Sequence, residues 1–63
     1  MNKIVVHAEE ARAIAAIWCE KQGIPPTRGE RAATRWYNTT IQPKDRTWGA
    51  LEQFLRSSLD VGN

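Results

Sequence analysis

Arg28, Arg31 and Arg35 stand three and four residues apart in the stretch TRGERAATRWYN, which runs from Thr27 to Asn38, and two further cations, Lys44 and Arg46, follow soon after. Projected on a helix, the three arginines fall within about 60° of arc. Guanidinium groups arranged in this way can follow the phosphates of a nucleic-acid backbone, and they can read guanine bidentately in a major groove. This basic row is the best-defined chemical feature of the chain.

Catalytic chemistry finds little to work with. A nucleophile, a base and an orienting group must converge, yet His7 is the one imidazole and stands at the entrance of an expected helix. The single cysteine, Cys19, lies among apolar residues, where a free thiol behaves as a small hydrophobe. Glu9 and Glu10 are adjacent, so on a helix they point about 100° apart and suit the helix dipole rather than a paired acid and base. One cysteine and one histidine cannot supply a structural zinc site, and Gly29 alone is not a phosphate loop. The expectation is a non-enzymatic protein with no cofactor and no metal.

The net charge of +2 is small. Its distribution carries more information. Up to Thr27, three cations balance Glu9, Glu10 and Glu20; from Arg28 to Arg46, five cations face only Glu30 and Asp45; from Thr47 onward, Arg56 faces Glu52 and Asp60. The basic excess therefore belongs to the arginine row and the loop that follows it.

Three segments must position these residues. Residues 8–22 place Ala11, Ile14, Ala15, Ile17, Trp18 and Cys19 on one arc, with acids in the first turn, Lys21 in the last and Gly23 as the stop, a pattern that predicts a helix. Pro25 and Pro26 bar that helix from running on. Thr27-Arg28-Gly29-Glu30 then matches a capping box, and the helix it opens sets Gly29, Ala32, Ala33, Trp36 and Tyr37 on the side away from the arginines. The third helix runs from Asp45 or Thr47, either able to cap it, to Asp60, with Trp48, Leu51, Phe54, Leu55, Ser58 and Leu59 on its apolar face and Glu52 paired with Arg56 on the other. Lys3-Ile4-Val5-Val6 favours an extended conformation and can pair with Thr39-Thr40-Ile41 as a short strand.

With 63 residues the chain forms one domain, residues 1–63, and the reading is mainly α: a compact three-helix domain with a short N-terminal strand as an optional addition. At this size only about 60% of the unfolded surface is buried on folding, so stability must come from packing around Trp18 and Trp48, with Trp36 shared between the core and the arginine row, or from self-association. Gly29 and Ala33, at i and i+4, admit the close approach of another helix, and with Trp36 and Tyr37 they are the expected interface with a partner or with a second copy in a homodimer. Ile4-Val5-Val6 is too short for a membrane span or a signal-peptide core, which favours a cytoplasmic protein that uses no membrane.

Helix one, the turn and helix two follow the order of a helix-turn-helix, but the connection Gly23-Ile24-Pro25-Pro26-Thr27 is longer and stiffer than that motif's turn. Residues 3–7 and two helices follow the order of a ribbon-helix-helix dimer, but the strand lacks alternation and the third helix is extra. The functional expectation is a small DNA-binding or regulatory protein that uses Arg28, Arg31, Arg35, Lys44 and Arg46. The alternative is a protein-binding module, such as an adaptor, an antitoxin or an inhibitor of a larger partner.

Overall fold

A computed structural model describes residues 3–59 and contains three α-helices: α1 (Ala8–Lys21), α2 (Pro26–Thr39) and α3 (Trp48–Ser58), with a single 3-10 turn at Pro43–Asp45 before α3. No helix is long and apolar enough to cross a membrane among these residues. The expected end of α3 at Asp60 lies outside the described residues.

The first helix ends on glycine. Gly23 adopts φ 76°, Ile24 N–H donates to Cys19 O at 2.9 Å and Gly23 N–H to Glu20 O at 3.2 Å, the crossed pair of bonds that closes a helix through a left-handed residue. At the other end Glu10 reaches back, its Oε1 accepting from Val6 N–H at 3.1 Å.

The expected capping box does not form. The α2 helix begins two residues earlier, with Pro26 at its first position and Pro25, not Thr27, as the capping residue at φ −55°, ψ 130°. A residue before proline is driven out of the helical region, and proline is well suited to the first helical position, so this pair starts the helix before Thr27 can cap it. For α3 the hydroxyl chemistry does operate: Thr47 Oγ1 accepts from Ala50 N–H at 3.1 Å.

Small residues make the α1–α2 contact. Ala11, Ala15 and Cys19 of α1 are buried against Gly29, Ala33 and Trp36 of α2. A Cβ on Gly29 would stand 2.5 Å from Cys19 Sγ and 2.7 Å from the Ala15 carbonyl oxygen, so the two backbones approach as closely as they do because Gly29 has no side chain. Leu51 and Leu55 of α3 and Val5 of the N-terminal segment close the core.

Two apolar residues do not follow expectation. Ile17 is 57% exposed, because it lies two residues from both Ala15 and Cys19 and therefore about 200° around the helix from the buried stripe. Trp48 is 40% exposed rather than central to the core. It is the first residue of α3, its N–H donates to Lys3 O at 2.9 Å, and the Lys3 ammonium stands 5.6 Å from its ring. Trp18 is half-buried against the core's edge, and Trp36 is buried.

The N-terminal segment makes one antiparallel bridge, Ile4 with Thr47, and no strand forms among the described residues. Its partner is not Thr39–Ile41, since those threonines belong to the end of α2: Thr39 Oγ1 donates to Arg35 O at 2.8 Å and Thr40 Oγ1 to Trp36 O at 2.6 Å.

Candidate functional site

The arginine row forms one wall of an open groove between α2 and α3. Arg28, Arg31 and Arg35 line it with Ala32, while Phe54, Ser58 and Leu59 line it from α3 and the residue that ends it. The groove encloses about 190 Å³. From Arg28 to Arg35 the wall extends about 10 Å at 1.5 Å per residue.

All three guanidinium groups belong to exposed residues, and among the described residues none lies within 4 Å of a carboxylate. The described residues that line the groove include no acid. The one ion pair among the described residues, Arg56 with Glu52 at 3.1 Å, is formed within α3 by exposed side chains. Three like charges on one helix face thus have no counter-charge within 4 Å among the described residues, while sharing a concavity with apolar carbon.

The five expected cations separate into three groups. Lys44 sits exposed in the 3-10 turn and does not line the groove. Arg46 is turned inward: its Nε donates to Thr40 O at 2.7 Å, its Nη2 to Tyr37 O at 3.4 Å, and its guanidinium carbon stands 4.0 Å from the Tyr37 ring centroid. It fastens the carboxyl end of α2, where carbonyls lack helical partners and the helix dipole favours a cation. Tyr37 extends the same fastening by donating its hydroxyl to Val6 O at 2.8 Å.

Gly29, Ala33 and Trp36, expected as an interface, are buried within the chain, so the close approach of another helix is made by α1. Tyr37 is half-buried and packs edge-on to Trp36, with ring centroids 6.4 Å apart.

The remaining chemical groups are structural in setting. Burial pushes the Cys19 thiol above the ordinary thiol range, and the Arg28 charge offsets part of that rise. The thiol is therefore protonated at neutral pH, and its sulfur fills the seam beside Gly29. His7 is exposed at the start of α1. No group of three metal-ligating side chains occurs among the described residues.

The α3 wall is not legible in the sequence, whose pattern sets Phe54, Ser58 and Leu59 on one inward face. The signal was the breadth of that face, since only Leu51 and Leu55 are fully buried and the flank left over forms the groove. Comparison with protein-family models, with curated proteins and with solved structures finds no match.

Proposed function

We propose that this chain is a binding module rather than a catalyst, and that it docks a segment of a larger partner protein in the α2–α3 groove. The supporting observation is the combination in one concavity of three arginines, without an ion pair among the described residues, with the apolar surfaces of Ala32, Phe54 and Leu59. A protein segment gains from both, through charge-assisted bonds to the guanidinium groups and through burial of apolar area. The composition also matches protein interfaces, where arginine and aromatic residues are enriched. At about 190 Å³ the groove is smaller than the roughly 300–1,000 Å³ of sites that enclose small molecules.

A DNA-binding role rests on the same exposed arginines, with Lys44 as an outlying contact. It leaves the apolar floor unused. Three cations also neutralise about three phosphates, fewer than the roughly 6–10 contacts of strongly salt-dependent binders.

Capture from nuclease-treated lysate tests the choice. The protein-binding reading expects a protein retained by the wild type and lost with the double variant Arg31→Ala/Arg35→Ala. Material that disappears on nuclease treatment, together with a mobility shift of duplex DNA at low salt, overturns it in favour of the DNA role.

A further inference from the structure

We infer that the groove takes an acidic amphipathic α-helix, which runs beside α2, sets carboxylates against Arg28, Arg31 and Arg35, and seats one large apolar side chain on Ala32, Phe54 and Leu59. This rests on the protein-binding reading above and names the partner's chemistry.

Spacing selects the helix. The arginines follow one another at three and then four residues along α2, which corresponds to axial steps of about 4.5 and 6 Å. A second helix lying alongside repeats those steps, because its own same-face residues recur at three and four. An extended strand presents a side chain to one face every 6.6–6.8 Å or so, and falls about 3 Å out of register by the third residue.

Charge selects the sign. Each carboxylate can accept two parallel bonds from a guanidinium, and the described residues of the groove lining include no acid to compete. Volume selects a single anchor. A space of about 190 Å³ suits one side chain rather than a row of them. Aromatic and aliphatic anchors inserted into small pockets dominate helix-in-groove recognition, with the polar rim setting orientation.

The probe is a fluorescein-labelled, side-chain-stapled alanine-based peptide with glutamates at relative positions 1, 4 and 8 and a leucine on the adjoining face, with a second peptide, glutamates at 1, 5 and 8, for the opposite direction. Fluorescence anisotropy with the full chain should show saturable binding of one of them. Affinity should fall at least about tenfold in Arg31→Ala/Arg35→Ala, and about tenfold when the peptide leucine becomes alanine. The anchor is tested on the peptide because truncating Phe54 also disturbs packing in the protein.

If the leucine-to-alanine peptide binds as tightly, the apolar anchor is wrong, and if an unstapled proline-interrupted peptide of the same charge binds as tightly, the helical occupant is wrong; either result overturns the inference. If neither stapled peptide binds, the inference is wrong, and the lysate capture reports separately whether a protein partner still depends on Arg31 and Arg35. Failure of both, with a short DNA duplex bound instead, removes the protein-binding reading as well.

Discussion

The guanidinium of Arg46 lies 4.0 Å from the centre of the Tyr37 ring while its nitrogens bond the last carbonyls of α2, and this stacked pair joins three parts of the chain. Through the Tyr37 hydroxyl it reaches Val6, and so the residues that precede α1. A residue that belongs by sequence to the basic cluster is here a fastener. Replacing Arg46 with alanine should lower unfolding free energy by about 1–3 kcal/mol in chemical denaturation, from the lost carbonyl bonds and the lost cation–ring contact. Lysine should restore less than half of this, since it lacks the planar fork. Peptide affinity at the groove should be unchanged at temperatures where the variant is folded.

Arg31 and Arg35 behave in the opposite way. Both are exposed and make no ion pair among the described residues, so the double alanine variant should unfold within about 0.5 kcal/mol of the wild type while binding the stapled peptide at least about tenfold more weakly. A large drop in the melting temperature of this variant would show that the row contributes to the fold.

Gly29 tests the seam between α1 and α2. Alanine favours a helix over glycine by about 1 kcal/mol, but its methyl group would meet the Ala15 carbonyl at 2.7 Å, backbone that cannot swing aside. Gly29→Ala should therefore destabilise, by about 1–3 kcal/mol. Adding Cys19→Ala removes the nearer sulfur contact but not the carbonyl, so the double variant should be more stable than the sum of the two single effects. Denaturant midpoints of the four proteins measure this coupling.

Cys19 carries a pH signature. Its thiol is raised in the folded chain by burial, so in the unfolded chain the proton leaves at lower pH. Between those two values the unfolded state binds fewer protons, and stability falls as pH rises. The difference in unfolding free energy between the wild type and Cys19→Ala should narrow above about pH 8.5, the ordinary thiol value. A constant difference from pH 7 to pH 10 or so would mean that the thiol is not shielded.

Thr47 is the one hydroxyl found capping a helix start. Thr47→Ala should cost about 1 kcal/mol, and Thr47→Asp should retain most of the stability because its carboxylate can accept the same bond from Ala50. Thr27→Ala, in contrast, should change stability little, since Thr27 lies inside α2 and caps nothing.

Local rules read most of this fold correctly from sequence. Gly23 and Thr47 stand where a helix stop and a cap are expected, and α1 begins and ends within a residue of its predicted bounds. Misreadings arise where two local rules compete or where a third element decides. Thr27 and Pro26 both offer a helix start, and proline prevails because its backbone is already committed. Ile17 and Trp48 are apolar, but burial depends on where neighbouring elements lie, which helical projection does not contain. The groove was half legible: the arginine row follows from spacing on one helix, whereas its facing wall requires α3 to be docked at a particular angle. Arg46 could not be separated from the other cations because its bonds depend on the path of the loop between Thr40 and Thr47.

The contacts of α1 with α2 are far more extensive than those of either helix with α3, and the groove follows the sparser seam. A ligand seated there would touch both sides of that seam, binding the folded chain and not the unfolded one. Mass action then adds about 2.7 kcal/mol of stability at a ligand concentration one hundred times Kd, a large increment for a chain of 63 residues. Occupancy of the groove would therefore be readable as a rise in Tm.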